Sequence, residues 1–254
     1  MSEQLGILGV GHLASYMVAG LRHAGDQRPI LLSPRNRQRS QALAEQHACE
    51  IAADNQQVVD RCRLILLAVR PNQVRSLLES LTFSADHLLV SCVAGMPLAQ
   101  LGELAGPAQV VRTLPLACAE VGEGAVPLYP NHPSARRLLS QLGNLIPFDN
   151  EDSFELASTA ACMNGWIYPF LARLTDWYTE QGMAAEQARE LVLHSVRGAT
   201  GLAAARPEWP LQAISDSIAT DGTFTKLGLD LLESNDAFSP WQDACEQVNK
   251  SLKG

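Results

Sequence analysis

The sequence predicts an α/β fold in which a doubly wound sheet over residues 1–150 is followed by an all-helical domain over residues 151–254. Up to about Asp149, short apolar runs alternate with amphipathic stretches, a pattern typical of βαβ units that build a parallel sheet. Beyond Asn150, apolar residues recur at helical spacing without a convincing strand. With 254 residues, 46% of them hydrophobic, the chain can bury the cores of two such domains.

Apolar runs of strand length mark the predicted sheet, and each is followed by turn or helix-start residues. The six runs cover residues 5–10, 30–33, 64–69, 88–92, 110–113 and 125–128. Two long helices are predicted over residues 151–182 and 184–205. The Asp-Asn-Glu-Asp sequence at residues 149–152 marks the junction, because acidic side chains stabilise the amino-terminal end of a helix.

Charge and cysteine content exclude several classes of function. The net charge of −8 disfavours nucleic-acid and membrane partners, since an acidic surface repels phosphate backbones and anionic lipids. The six cysteines are scattered without the spacing of metal ligands, so we expect reduced thiols and no metal site. The amino-terminal residues lack a basic segment followed by a long apolar run, and we expect a cytoplasmic location.

A glycine motif lies where the first predicted strand meets the first amphipathic helix. Residues 5–14 read Leu-Gly-Ile-Leu-Gly-Val-Gly-His-Leu-Ala, which contains the pattern G-x-G-x-x-A. Gly9 permits a tight turn, Gly11 lets a diphosphate approach the backbone, and Ala14 allows the helix to pack closely on the strand. The motif predicts a Rossmann-type dinucleotide-binding domain. The alternative is a strand-to-helix turn of small residues that binds no ligand.

The residues after the second predicted strand favour NADP over NAD. An acidic side chain about 20 positions beyond the glycines would bind the ribose 2′-hydroxyl of NAD, and none is present there. Ser33, Arg35 and Arg37 instead offer a hydroxyl and two guanidinium groups, which suit a 2′-phosphate. The alternative is that the two arginines only solvate the start of a helix.

Several short blocks recur in the order that a known family shows. They cover residues 6–14, 54–55, 67–73 (Leu-Ala-Val-Arg-Pro-Asn-Gln), 91–95 (Ser-Cys-Val-Ala-Gly), 112–115 (Arg-Thr-Leu-Pro), 121–125 (Val-Gly-Glu-Gly-Ala), 228–229 and 232–233. In content and order these blocks resemble the pyrroline-5-carboxylate reductases. The resemblance implies hydride transfer from NADPH to the C=N bond of a cyclic imine, with a proline-type product and a place in proline biosynthesis.

The resemblance also implies which residues bind the cofactor. The residues expected to contact it are Gly9, Gly11, Ser33, Arg35 and Asn55. The residues expected to line the nicotinamide and its ribose are Ala68, Arg70, Pro71, Ala94 and Gly95, and the candidate set also includes Leu13 and Val69. His12, at the helix start facing the phosphates, is expected either to donate a hydrogen bond there or to be only a surface substitution. Because the second group follows predicted strands, it should lie at the carboxyl ends of a parallel sheet, although Ala68 and Ala94 are also compatible with simple packing.

Three segments of the substrate half depart from the family pattern. Residues 115–119 read Pro-Leu-Ala-Cys-Ala where the family has Pro-Asn-Thr-Pro-Ala, so two polar positions have become apolar. Residues 162–168 keep only Gly165 and Tyr168 of a Ser-Gly-Ser-Gly-Pro-Ala-Tyr run. Residues 220–225 read Thr-Asp-Gly-Thr-Phe-Thr and align with the carboxylate-binding turn Ser-Pro-Gly-Gly-Thr-Thr.

The candidate catalytic and substrate-binding residues are therefore Tyr168, Thr220, Thr223 and Thr225. The backbone amides and hydroxyls of the threonine turn suit a carboxylate, because they precede an amphipathic helix. Asp221 argues against this use, since a fixed negative charge beside an anionic substrate is unfavourable. We expect an altered substrate or a rearranged turn, and the alternative is that the segment only caps the helix.

Two other functions stay open. A β-hydroxyacid dehydrogenase would share the domain plan, but its chemistry usually employs a lysine in the helical domain, and residues 153–182 contain none. A non-catalytic NADP-binding regulator is the third interpretation, motivated by Leu116, Ala117 and Asp221. For every interpretation we expect a homodimer through the carboxyl-terminal helices, because long apolar helices in about 100 residues rarely bury all their surface alone.

Overall fold

An eight-stranded sheet organises the first half of the chain in the computed structural model, which describes residues 4–253 and the side chains as far as Leu252. Residues 1–3 and 254, at the ends of the two predicted domains, lie outside the described residues. The strands are β1 (Leu5–Leu8), β2 (Ile30–Leu32), β3 (Glu50–Ile51), β4 (Leu64–Leu67), β5 (Leu88–Ser91), β6 (Gln109–Thr113), β7 (Ala125–Tyr129) and β8 (Asn144–Pro147).

The sheet is doubly wound. Its strand order is β3-β2-β1-β4-β5-β6-β7-β8, so the chain builds outward from β1 in one direction and from β4 in the other. β1 pairs in parallel with both β2 and β4, with Leu5 opposite Ile30 on one side and Leu64 on the other. The carboxyl ends of these strands share one edge, and the reversal between β1 and β4 is where such sheets bind ligands.

Two strands and one strand direction differ from the sequence prediction. The sequence did not predict the two-residue β3 or the largely exposed β8, because neither is a buried, continuous apolar run. β7 runs antiparallel to β6, which is a local departure from the parallel sheet that the sequence predicts. The connection between them contains a single 3₁₀ turn, Ala117–Val121, and no crossover helix to return the chain for a parallel strand.

Helices cover both faces of the sheet. One face is packed by α1 (His12–His23), α2 (Arg37–His47) and α6 (Pro133–Leu139). The other is packed by α3 (Asn55–Arg61), α4 (Pro71–Leu78) and α5 (Leu98–Ala105). Strands enclosed in this way are buried on both sides, so their sequences are unbroken apolar runs. This explains why the central strands could be predicted from the sequence.

From Glu151 onward the described chain is helical, as predicted. Its helices are α7 (Glu151–Glu180), α8 (Ala185–Ala205), α9 (Leu211–Ile218), α10 (Phe224–Ser234) and α11 (Ser239–Lys253). One compact unit runs as far as Ala161 and includes the end of α11, and a second runs from Cys162 to Lys250. The structural division therefore falls inside α7, whereas a functional boundary at residue 150 stays a prediction. Within residues 4–253 no helix combines the length and apolar character that crossing a bilayer requires.

The helical half leaves many large apolar side chains exposed. Examples are Tyr168, Phe170, Trp177, Leu211, Phe224, Leu227 and Leu231. On α10, Phe224 is 93%, Leu227 70% and Leu231 65% exposed, and their spacing places them along one stripe of the helix. Contiguous apolar surface of this kind is typical of faces that bind another molecule.

Candidate active site

The glycine turn after β1 has a geometry that accepts only glycine at its first position. Gly9 has φ of +94°, and a Cβ there would lie 2.4 Å from the Cγ1 atom of Val69 and 2.8 Å from the carbonyl oxygen of Ala68. A Cβ on Gly11, by contrast, would meet no atom within 4 Å. The amino terminus of α1 follows directly, and no side chain caps its amides. The turn therefore presents open backbone and uncapped amides, an arrangement that suits a phosphate group.

Ser33 and Asn36 tie the loop after β2 to this turn. The Ser33 hydroxyl accepts a hydrogen bond from the Gly9 amide at 3.0 Å, and Ser33 is only 2% exposed. Asn36 donates from Nδ2 to the carbonyl oxygen of Val10 at 3.0 Å. Its Oδ1 also caps α2, accepting from the Arg39 amide at 3.4 Å. Ser33 thus supports the turn from within, and Asn36 is a supporting residue that the sequence analysis did not include.

Three arginines lie around the loop after β2, and they differ in their contacts. Arg35 and Arg37 are exposed and make no hydrogen bond or ion pair with the described residues. Arg39 places Nη2 2.5 Å from Nε2 of His12. Because a guanidinium only donates, Nε2 of His12 accepts here, which leaves Nδ1 as the ring nitrogen that can donate to a phosphate. Arg35 and Arg37 are free to meet a phosphate, and Arg39 is a cation that the sequence analysis missed.

The other predicted cofactor residues follow β3, β4 and β5 at the same edge of the sheet. They are Asn55 at the start of α3, Ala68 and Val69 after β4, Arg70 and Pro71 at the start of α4, and Ala94 and Gly95 after β5. Leu13 differs, because its side chain packs against the core. Gly95 has φ of +67°, and no atom lies within 4 Å of a Cβ built on it. The parallel strands thus bring segments that are far apart in the sequence to the same edge of the sheet, where such folds bind ligands.

Residues 220–225 form a capping turn at the start of α10. The Thr223 hydroxyl donates to the carbonyl oxygen of Thr220 at 2.7 Å and accepts from the Lys226 amide at 3.1 Å. Its one donor is therefore used within the turn. The hydroxyls of Thr220 and Thr225 have no partner among the described residues. For Thr223 the structure thus shows the capping role that the sequence left open.

The surroundings of this turn are acidic. A hollow of about 360 Å³ is lined by Asp221, Gly222, Thr223, Phe224, Lys226, Leu227 and Asp230. Lys226 forms an ion pair with Asp230, and the hydrogen bond between them raises the pKa of Lys226. Asp221 is exposed and has no hydrogen-bond partner among the described residues. Two carboxylates against one ammonium group leave the hollow with a negative charge, which disfavours an anionic ligand.

Tyr168 has no hydrogen bond to the threonine turn among the described residues. It lies on α7 and is 61% exposed, and its hydroxyl has no hydrogen-bond partner in the described part of the chain. Nearby on the same helix, Trp166 packs edge-on against Trp241 with ring centroids 6.3 Å apart. Hydrogen bonds within the described residues therefore do not join Tyr168 to the three threonines. Over residues 4–253, His, Cys, Asp and Glu side chains form no group placed to hold a metal ion.

A buried ion cluster joins β6 to the start of α7. The Nη1 atom of Arg112, which is 0% exposed, lies 2.5 Å from Oε1 of both Glu151 and Glu155. The guanidinium lies over the ring of Phe154, 4.7 Å from its centroid. The buried polar atoms here that have no hydrogen-bond partner among the described residues are Arg112 Nε and Nη2, Thr113 Oγ1, Glu155 Oε2 and Ser158 Oγ.

Some of the missed residues carried a signal in the sequence. Arg112 directly follows two valines in a predicted strand, and arginine is rarely buried without an acidic partner. Glu151 and Glu155 lie four positions apart at a predicted helix start and so share one helix face. Asn36 is a typical residue for a helix cap. No signal marks Arg39, because its approach to α1 depends on how two helices pack.

Two family models match this chain. Residues 4–95 match the model described as NADP oxidoreductase coenzyme F420-dependent, and residues 151–253 match the model described as pyrroline-5-carboxylate reductase dimerisation. Pyrroline-5-carboxylate reductase 3 from Xenopus laevis is 26% identical over 246 residues, which are 92% of this chain and 89% of the relative. Pyrroline-5-carboxylate reductase from Pseudomonas aeruginosa is 27% identical over 235 residues, 87% of this chain and 86% of the relative. The resemblance to the pyrroline-5-carboxylate reductase family is confirmed.

Solved structures share the architecture. The structure of Plasmodium falciparum pyrroline carboxylate reductase with NADP bound has a TM-score of 0.86 at 21% identity, covering 99% of this chain and 97% of that one. A reductive aminase from Aspergillus terreus, in complex with NADPH4, cyclohexanone and allyl amine, has a TM-score of 0.62 at 19% identity. The match covers 100% of this chain and 92% of that one. These similarities confirm the predicted fold class, a Rossmann-type sheet followed by helices.

Proposed function

We propose that this protein is an NADPH-dependent reductase that transfers hydride to the C=N carbon of a cyclic imine. The observation that carries the proposal is the turn after β1. Only glycine fits at Gly9, the backbone at Gly11 is open, and the amides of α1 have no side-chain cap. The reaction class is supported by relatives named pyrroline-5-carboxylate reductase that align with about nine-tenths of the chain.

Three groups of residues would bind three parts of the cofactor. The open backbone at Gly11 and the first amides of α1 would hold the diphosphate. The exposed guanidinium groups of Arg35 and Arg37 would hold the 2′-phosphate through charge-assisted hydrogen bonds. Small residues after β4 and β5, Ala68 and Gly95 among them, leave room for a flat ring. Bound there, the cofactor supplies the hydride.

Placement of the substrate, rather than acid catalysis, is the chain's main contribution to the reaction. A ring imine can take its proton from solvent before it binds, so the acceptor carbon needs only the right distance and angle to the hydride donor. α7 contains no lysine, which removes the usual proton acceptor of a β-hydroxyacid dehydrogenase. The unpartnered hydroxyls of Tyr168, Thr220 and Thr225 are the proposed substrate contacts.

The substrate proposed here is a cyclic imine that puts no carboxylate beside the α10 turn. Asp221 makes no hydrogen bond or ion pair with the described residues, and the ammonium group of Lys226, which its charge also influences, is already paired with Asp230. Leu116 and Ala117, which follow β6 at the ligand-facing edge, replace two side chains that could have formed hydrogen bonds. Both features disfavour an anionic group and tolerate a neutral or cationic ring.

The proposed assembly is a homodimer formed through the carboxyl-terminal helices. The match of residues 151–253 to a dimerisation family supports it, as does the apolar stripe of Phe224, Leu227 and Leu231. A cytoplasmic location is also part of the proposal. All six cysteines are free thiols, which suits a reducing compartment.

The experiment that tests this function mixes the protein with NADPH and a panel of imines while the absorbance of the reduced nicotinamide is followed. The panel contains 1-pyrroline-5-carboxylate, a piperideine carboxylate and the uncarboxylated rings 1-pyrroline and 1-piperideine. Turnover of any imine is the expected result. A parallel assay mixes the protein with NADP⁺ and hydroxyacids. NADPH binding without turnover in either assay would show a regulator instead of an enzyme, and reduction of NADP⁺ by hydroxyacids, without turnover of imines, would show a dehydrogenase.

A further inference from the structure

Helix α5 begins without a cap of its own. Its N-cap residue is Pro97, which has no side-chain donor or acceptor to satisfy the first amides. The Leu98 amide donates instead to Oε1 of Glu151 at 2.6 Å, across 53 positions of sequence. The exposed turn of Ala94 and Gly95 lies only a few residues before Leu98. A carboxylate from the start of α7 therefore holds the end of the loop that follows β5.

Glu151 is itself held by a buried cation. The oxygen that accepts from Leu98 also lies 2.5 Å from Nη1 of Arg112. Arg112 is 0% exposed and lies against Phe154. A buried, planar guanidinium has few alternative orientations, so the carboxylate bound to it is also restrained. The contacts form a chain from β6 through α7 to the loop after β5.

Stability alone is a poor explanation for this cluster. Arg112 Nε and Nη2, Thr113 Oγ1 and Ser158 Oγ are buried without a partner among the described residues. Each buried polar atom without a partner costs free energy. Buried ion clusters can often be replaced by apolar side chains with no loss of stability. What the charged cluster supplies, and apolar packing would not, is a directed hydrogen bond to one backbone amide.

We propose that Glu151, held by Arg112, is a positioning residue for hydride transfer. By fixing the Leu98 amide it fixes the turn of Ala94 and Gly95, which lies at the edge where the nicotinamide would bind. The inference rests on the proposed function. It assigns Glu151 no contact with cofactor or substrate.

Glu155 provides a matched control. Its Oε1 lies 2.5 Å from the same Nη1 of Arg112, but Glu155 makes no hydrogen bond to the backbone of α5. Glu155→Ala and Glu151→Ala therefore remove equivalent charges from one guanidinium, and only Glu151→Ala frees the Leu98 amide. Glu151→Gln keeps an oxygen that can accept from that amide.

The test measures single-turnover hydride transfer and amide hydrogen exchange in the three variants and the unaltered protein. Glu151→Ala should slow hydride transfer by about 10- to 100-fold, the range of losses seen when a supporting contact is removed. Exchange in the peptide spanning residues 93–98 should rise in the same variant. Glu155→Ala and Glu151→Gln should stay within about threefold of the unaltered protein in both measurements, since the bond to Leu98 survives.

Equal losses in Glu151→Ala and Glu155→Ala would show a purely structural ion cluster and would overturn the proposal. Unchanged hydride transfer in Glu151→Ala, or no recovery in Glu151→Gln, would also overturn it. If the unaltered protein binds NADPH but reduces no imine, the proposed function fails separately. The exchange of residues 93–98 in the NADPH complex then still decides whether Glu151 orders this loop more than Glu155 does.

Discussion

Gly9 and Val69 meet at a distance that no side chain at position 9 would permit. A Cβ on Gly9 would lie 2.4 Å from Cγ1 of Val69. β1 and β4 are the strands between which the order of the sheet reverses, and the segments that follow them therefore approach each other closely. The ligand-facing edge is built on this approach, and the backbone at Gly11 stays open beside it.

The two glycines should respond differently to the same substitution. Gly9→Ala should lower the free energy of unfolding by about 1–3 kcal/mol, because it adds both a clash and a strained dihedral angle. Gly11→Ala should leave that free energy unchanged, since Gly11 has φ of −107° and no neighbour at the Cβ position. Urea unfolding of both variants measures this. Equal destabilisation would contradict the described turn.

Arg35 and Arg37 should set the preference for NADPH over NADH. Replacing both with serine should weaken NADPH binding by about 10- to 100-fold, because charge-assisted hydrogen bonds to the 2′-phosphate are lost. NADH binding should stay nearly unchanged, because NADH lacks that phosphate. Fluorescence titration with each nucleotide measures the ratio. Arg136→Ser, on α6, is the control and should alter neither affinity. An unaltered preference in the double variant would mean that the two arginines only solvate the surface.

Asp221 should discriminate between imines with and without a carboxylate. Asp221→Asn should raise kcat/KM for 1-pyrroline-5-carboxylate relative to 1-pyrroline by about 5- to 20-fold, because the repulsion between two negative charges is removed. Asp243→Asn removes the same charge from the exposed side of α11 and should leave the ratio unchanged. A ratio that stays constant in Asp221→Asn would place Asp221 away from the substrate.

The stripe on α10 should be part of the dimer interface. The double variant Leu227→Glu/Leu231→Glu places two charges on this stripe. In a single chain the side chain of Leu227 is 70% exposed and that of Leu231 is 65% exposed. Burying these charges at an interface is costly, so sedimentation at micromolar concentration should shift from dimer to monomer. Val121→Glu, 56% exposed in the sheet-bearing half, should leave the dimer intact. A monomeric unaltered protein would defeat the proposed assembly.

Asp26 should make stability depend on acid pH. Burial raises the pKa of Asp26, but hydrogen bonds from the backbone and guanidinium of Arg28 outweigh it and lower the pKa below 3.8. A carboxylate with a lowered pKa stabilises the folded state above its unfolded pKa, and this contribution is lost as pH falls through the folded value. Asp26→Asn should therefore be less stable than the unaltered protein at neutral pH, and the difference should shrink below pH 3.8. Urea unfolding at several pH values measures it.

The fold was predictable where burial leaves a continuous pattern in the sequence. Strands such as β1 and β4 are buried on both faces and appear as apolar runs. β3 consists of two residues at the sheet edge, and β8 is largely exposed, so neither produces such a run. The antiparallel direction of β7 depends on the short connection before it, which the pattern of apolar residues does not encode.

The candidate site was predictable where function constrains the local backbone. Gly9 and Gly11 lie in one motif, and a single turn places both. Asn36, Arg39 and Glu151 act across long sequence distances, and their contacts depend on which helices pack together. A hydroxyl before a helix suits both a carboxylate and a cap, so the sequence alone leaves the role of Thr223 open.

The most direct test of the central claim is a calorimetric titration of the unaltered protein and of Gly11→Ala with NADPH. The account predicts one NADPH bound per chain, and an affinity at least about tenfold lower in Gly11→Ala, because the added methyl group occupies the space that the diphosphate needs. Absence of binding heat in the unaltered protein, or equal affinity in the two proteins, would contradict it.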